Sequence, residues 1–199
     1  LLPPGAQGPV SDADALVGAS RAMRSYRPLA DRISEWAMQR HGNDPEVRLA
    51  RAKALLRGEG EVPRAPLEAL FNGLPRDVPG DADWPVERAL AEARARIRWG
   101  QPEVALTLLA QMGDRRITAR SVYEMEAAMR MRRYDLAWPA AEQLLKALDR
   151  PDDVDALQME RHTLYSNIST VIEGSRDYAR GINALSHRRE RDDGELDRL

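Results

Sequence analysis

The sequence predicts an all-α protein built of about five helix pairs, and three observations predict it. Strand signals are scarce: there is a single Phe, β-branched residues are few, and no alternating apolar run is bounded by Asn-Gly or Asp-Gly turns. Apolar residues recur instead at helical spacing, as in Val86, Leu90, Ala93 and Ile97, and again in Ala137, Ala141, Leu144 and Leu148, both at i, i+4, i+7, i+11. Proline and glycine fall mostly between such stripes, where they punctuate helices rather than interrupt them.

Taken in order, a first helix is expected from near Asp12 to Tyr26, with Ser11 as N-cap and Leu16, Ala19, Met23 and Tyr26 facing inward. A second runs from about Arg27 to Arg40, with Pro28 in its first turn, and ends at Gly42. Asp44-Pro45 starts a third that stops at "RGEG", and Pro66 starts a short fourth carrying Leu67, Leu70, Phe71 and Leu74. Beyond the loop "LPRDVPGDAD" the fifth covers about Trp84 to Trp99 and the sixth Pro102 to Met112. The remaining four span about Thr118 to Arg132, Tyr134 to Leu148, Asp152 to Ile172 and Arg176 to Arg189. Pro139 falls past the first turn of the eighth, which predicts a local bend or a later helix start. The short connections make successive helices antiparallel.

The stretch "RIRWGQPEVALTLL" shows what the punctuation does. A glycine costs about 1 kcal/mol and a proline about 3 kcal/mol inside a helix relative to alanine. Gly100 and Pro102 are therefore read as the end of one helix and the start of the next. An alanine follows about one turn into the second helix of four pairs: Ala30 in "SYRPLADRI", Ala105 in "WGQPEVALTLL", Ala137 in "RRYDLAWPAAEQLL" and Ala179 in "GSRDYARGINAL". A small residue there lets two antiparallel helices approach closely near their turn. The intervals of 75, 32 and 42 residues give a period in the mid-thirties with insertions.

This pattern resembles the tetratricopeptide (TPR) repeat, a helix-turn-helix unit with a small residue and a large apolar residue four positions later in its second helix. Gly100, Ala105 and Leu109 stand as that family places them, followed by Tyr134, Asp135 and Ala137. The first-helix signature W-x2-L-G-x2-Y is absent, and Ser34, Ala141 and Asn183 stand where a large apolar residue is usual. The resemblance implies a right-handed superhelix over residues 11–199 after a linker at 1–10, with approximate units at 11–43, 44–79, 80–114, 115–150 and 151–190. It further implies that first helices line a concave binding surface. In that register Arg94, Arg98, Tyr123, Glu126, Arg130, Arg161 and Tyr165 form the partner-binding set. Tyr123 and Tyr165 have a competing reading as packing residues between hairpins, with the charges simply solvated.

Composition sets limits on function. The chain has 199 residues, 43% of them hydrophobic, so it is expected to bury a core in one or two domains. It contains no cysteine, which removes disulfides, thiolate metal sites and a cysteine nucleophile together. Thirty basic residues oppose thirty-two acidic ones, and all the basic ones but Lys53 and Lys146 are arginine. That balance disfavours a whole-surface attraction to nucleic acid. His41, His162 and His187 have no second ligand at i+3 or i+4, so capping or surface roles are assigned and no metal or cofactor is expected. Glu124/Glu126 and Asp152/Asp153 are acid/base candidates only if a cleft gathers them, and no nucleophile elbow, phosphate-binding loop or dinucleotide fingerprint is present.

The function expected is therefore a non-catalytic protein–protein interaction scaffold. Its arginine-rich, irregular repeats are similar to the periplasmic TPR regions of outer-membrane exopolysaccharide export proteins, which serve Pel, cellulose and poly-N-acetylglucosamine secretion. That likeness implies biofilm polymer export, with a polysaccharide-modifying enzyme as partner or the polymer itself guided to a pore. The sequence is then read as a piece of a longer protein, with any targeting signal outside it. The alternatives are a cytoplasmic TPR adaptor or assembly chaperone and, in another class, a helical-repeat nucleic-acid binder using "RARIR" and "RMRR". We expect a titration against RNA at low ionic strength to show no salt-sensitive binding; a strong inverse dependence on salt would restore the nucleic-acid class.

Overall fold

The computed structural model describes residues 11–23, 26–57, 62–113, 117–147 and 161–186. The protein is all-α: among the described residues there is no strand, only an isolated antiparallel bridge between Val78 and Asp81. The chain divides between Trp99 and Gly100 into two compact units.

Unit 1 holds α1 (Asp12–Ala22), α2 (Arg27–His41), α3 (Pro45–Leu56), α4 (Arg64–Asn72) and α5 (Trp84–Arg98). The hydroxyl of Ser11 accepts from the Asp14 amide and caps α1. Asp44 does the same for α3, its carboxylate accepting from the amides of Glu46 and Val47. The inward face of α1 differs from the expected stripe. Ala13, Val17 and Ser20 are buried, whereas Met23 and Tyr26 are 43% and 62% exposed, because α1 ends at Ala22 before that stripe completes.

Polar pins supplement the apolar contacts between these helices. Ser20 donates to the carbonyl of Ala30 at 3.2 Å, and Ala30 is itself buried where α1 and α2 pack. Ser34, set where the TPR pattern has a large apolar residue, donates to the Asp31 carbonyl and accepts from Arg51 of α3 at 2.8 Å. Arg51 also donates to the Asp31 carbonyl at 3.2 Å. A buried hydroxyl with both partners filled costs little, so the small polar residue is retained without penalty. The opposite side of α3 packs on α4 and on α5, joining Leu49, Ala52 and Leu56 to Leu67, Phe71, Trp84, Ala91 and Ala95.

Unit 2 holds α6 (Pro102–Ala110), α7 (Ile117–Arg130), α8 (Tyr134–Ala147), α9 (Arg161–Ser175) and α10, helical over 178–186. Residues 148–160 and 187–189, with them Leu148 and the expected start of the ninth helix, lie outside the described residues. The core joins Val122, Met125 and Ala128 of α7 to Ala137, Trp138, Ala141 and Leu144 of α8 and to Leu164, Ile168 and Val171 of α9. α8 runs unbroken through Pro139, which excludes the later start; the chain carries one missing intrahelical hydrogen bond there. At its start the exposed Arg133 and Asp135 form a two-pronged pair at 2.9 and 2.8 Å. The side-chain hydrogen bond from Arg133 holds the Asp135 carboxyl below its ordinary range, so acid breaks this pair only below the usual carboxylate titration. Further along α8, Trp138 donates to Ser175 at 3.1 Å, while Arg180 of α10 lies over its ring and pairs with Glu142 at 2.7 Å.

Three of the turns share a rule more regular than the alanine spacing. Gly100, Arg132 and Arg176 all have positive φ, at 73°, 56° and 56°. At Arg132 the geometry is a Schellman cap, with Arg133 N donating to the Ala128 carbonyl and Arg132 N to that of Met129, both at 2.9 Å. Five residues beyond each of these three stands a buried small one, Ala105, Ala137 and Gly181, whereas Gly80 and Gly113, also at positive φ, are followed at that distance by the half-buried Pro85 and Thr118. Gly181 corrects the assignment of Ala179, which is exposed. A Cβ on Gly181 would lie 2.7 Å from Cγ1 and Cδ1 of Ile172 on α9, so this glycine, two residues later, is where the last pair closes.

We expect Ala137→Leu to destabilise the protein by about 1–3 kcal/mol through overpacking, and Ala179→Leu to stay within about 0.5 kcal/mol of wild type. Urea unfolding of the two variants measures this directly, and equal effects would contradict the position of the close approach.

Candidate functional site

The connection between α4 and α5 breaks the short-turn habit of the chain: eleven residues, Gly73 to Asp83, separate the two helices. The Asp81 carboxylate accepts from the amides of Asp83 and Trp84 at 2.9 and 3.0 Å and so starts α5. Trp84 is buried, and its indole N–H donates to the carbonyl of Pro75 at 3.1 Å. That bond fixes the outgoing loop against the start of α5. With both helices resting on α3 and the loop held in this path, a cleft of about 260 Å³ opens between α4 and α5.

The walls of the cleft follow from helical spacing. On α5 and its end, Arg88, Glu92, Arg96 and Trp99 recur at i, i+4, i+8 and i+11 and so share one side. From α4 come Glu68, Phe71 and Asn72, and from the loop Leu74 and Arg76. Phe71 and Leu74 are buried and supply the apolar part of the lining.

The polar groups divide into partnered and unpartnered. Glu68 pairs with Arg64 at 2.8 Å and Glu92 with Arg96 at 3.2 Å, so both carboxylates are already neutralised. The guanidinium groups of Arg64 and Arg96 also sit over the Trp99 ring, 5.6 and 5.5 Å from its centroid. Glu87, next to Arg88 in sequence, is engaged by Lys53 of α3. Arg88 Nε, the Trp99 indole N–H and Arg96 Nε are buried and have no hydrogen-bond partner, although Arg96 is engaged with Glu92 through Nη2. A buried donor left without an acceptor costs about 1–3 kcal/mol, so three in one cleft mark a place that an external acceptor would stabilise.

The residues expected to bind a partner lie elsewhere. Arg94 and Arg98 are half-buried on another side of α5 from the cleft, in unit 1. Tyr123, Glu126 and Arg130 are on α7 and Tyr165 on α9, in unit 2. Tyr123 and Tyr165 pack against the core of that unit, and Glu126 and Arg130 form an exposed i, i+4 pair at 3.3 Å. Such a pair contributes about 0.3–0.5 kcal/mol and is common on solvated helix faces. The side chains of Arg161 and His162, and all of His187, lie outside the described residues. Of the structural positions, Ala30, Ala105, Leu109 and Ala137 are buried and Gly100 occupies the positive-φ turn.

The cleft has a sequence signal in the row Arg88-x3-Glu92-x3-Arg96-x2-Trp99, which reads as solvated i, i+4 ion pairs until the facing helix is known. Among the described residues no group of three or more His, Asp or Glu is placed to hold a metal ion, and no helix is long and apolar enough to cross a membrane. Compared with protein-family models, curated proteins and solved structures, the chain matches none.

A residue that serves a ligand rather than the fold is dispensable for stability. We expect Arg88→Met to unfold in urea within about 1 kcal/mol of wild type or above it, because it removes an unpaired buried donor. Trp84→Phe, which frees the Pro75 carbonyl and leaves a void, should lose about 1–3 kcal/mol. An Arg88→Met loss as large as that of Trp84→Phe would mean that Arg88 supports the fold.

Proposed function

We propose that the chain is a non-catalytic protein-interaction scaffold of TPR-like helical hairpins, and that the cleft between α4 and α5 is its contact point for a partner. The observation that carries this reading is the pair of buried, unpartnered donors on Arg88 and Trp99, beside carboxylates already committed to Arg64 and Arg96. Folding leaves such donors unpaired only at a cost, and an acceptor from a second molecule removes that cost. Nothing in the cleft pairs a nucleophile with a base, so its chemistry is recognition.

The setting that the sequence resemblance supports is the periplasmic repeat region of an exopolysaccharide exporter. There a scaffold of this kind recruits a polysaccharide-modifying enzyme or guides the polymer. Helical hairpins suit such a role because each contributes a rigid pair of helices to an extended binding surface.

The test is affinity purification of the full-length protein from its own cells after nuclease treatment. A protein that co-purifies with wild type and is reduced about tenfold with Arg88→Met is the expected result. Recovery that disappears with nuclease would return the protein to the nucleic-acid class, and recovery of no protein at all would overturn the scaffold.

A further inference from the structure

We infer that the α4/α5 cleft takes a single carboxylate side chain, Asp or Glu, presented by an acidic polypeptide segment. The inference rests on the scaffold reading for its biological setting, but the binding chemistry stands on the cleft alone.

Charge comes first. Three arginines and two glutamates line the cleft, and the glutamates are held by Arg64 and Arg96. The five charged lining side chains sum to a net charge of +1, and Arg88 and Arg76 have no carboxylate partner among the described residues. A single carboxylate matches that net charge, whereas a phosphate dianion exceeds it.

Geometry narrows the ligand further. The guanidinium of Arg88 offers a fork of N–H donors matched to the two oxygens of a carboxylate, and the Trp99 N–H adds a neutral donor. Trp99 is not a sugar-stacking platform, because its ring already carries the guanidinium groups of Arg64 and Arg96. Size points the same way: about 260 Å³ is below the roughly 300–1,000 Å³ of pockets that enclose whole small-molecule ligands, and suits one or two side chains of a docked segment. Phe71 and Leu74 give the methylene stem of such a side chain an apolar contact.

The experiment follows the side-chain N–H resonances of the full ¹⁵N-labelled chain. The four indole signals are resolved by type, and Trp99→Phe and Arg88→Met assign the two that matter. Titration with blocked hexaglutamate should move the Trp99 indole N–H and the Arg88 Nε–H along one saturable curve. Arg88→Met should weaken binding about tenfold or more, and Trp99→Phe should weaken it severalfold while leaving the circular dichroism unchanged. Oligogalacturonate and inorganic phosphate are titrated in parallel and should bind more weakly than the peptide.

No movement of either resonance up to about 5 mM peptide, or equal affinity in Arg88→Met, would overturn the site. Binding of oligogalacturonate about tenfold tighter than the peptide would reassign the ligand to an acidic polysaccharide, and equal binding of phosphate would reduce the cleft to a general anion hole. These failures are distinct from failure of the scaffold. A partner captured independently of Arg88 leaves the scaffold standing without this site, and a saturable peptide shift without any captured partner leaves the site without the scaffold.

Discussion

The close approach of two helices at a small residue five positions beyond a positive-φ turn is the constraint on which the second unit depends. At Arg132 and Arg176 the chain accepts a left-handed conformation in an arginine, which costs an L-residue about 1–2 kcal/mol, in order to reverse direction within a few residues. The return is immediate helix contact, made possible by Ala137 in one turn and Gly181 in the other. With side chains that small, the helices bury Trp138, Leu144, Leu164 and Ile168 instead of holding one another apart.

The cleft arises where that constraint is relaxed. Between α4 and α5 the turn is replaced by an eleven-residue loop. Their separation is set instead by α3, on which both rest, and by the bond from Trp84 to the Pro75 carbonyl. The space so created is polar because Arg88, Glu92, Arg96 and Trp99 face it from one side of α5. Ion pairing within the chain consumes Arg64 and Arg96 and leaves Arg88. Rigid placement of a charged group that the fold does not itself use is what a recognition site requires.

Much of the fold was legible in the sequence because helices are announced locally. Asp44-Pro45, Ser11 and the Gly100-Gln101-Pro102 turn mark their own boundaries through capping and proline chemistry, and the structure begins or ends helices beside each. Pro139 shows the limit of local reading: a residue that ordinarily breaks a helix is kept inside α8, where burial of Ala137, Trp138, Ala140 and Ala141 around it outweighs one lost hydrogen bond. Ala179 shows another. Its spacing from the earlier alanines is nearly right, but the side that faces α9 is set by the turn at Arg176, which brings Gly181 and not Ala179 to the contact.

The sequence by itself determined the helical class, nearly every helix boundary in the described residues, and the absence of cysteine chemistry, since these follow from period, caps and composition. Only the tertiary structure decided which charges are spent and which are left over. Arg88, Arg94, Arg96 and Arg98 are chemically identical along α5, and their order separates only the side of Arg88 and Arg96 from that of Arg94 and Arg98. The distinction comes from which side chain of another helix lies opposite: Trp84 and Pro75 hold α4 where its Glu68 and Arg64 meet the Trp99 end of α5. A pairing energy depends on distance and burial, and neither exists until the helices have packed.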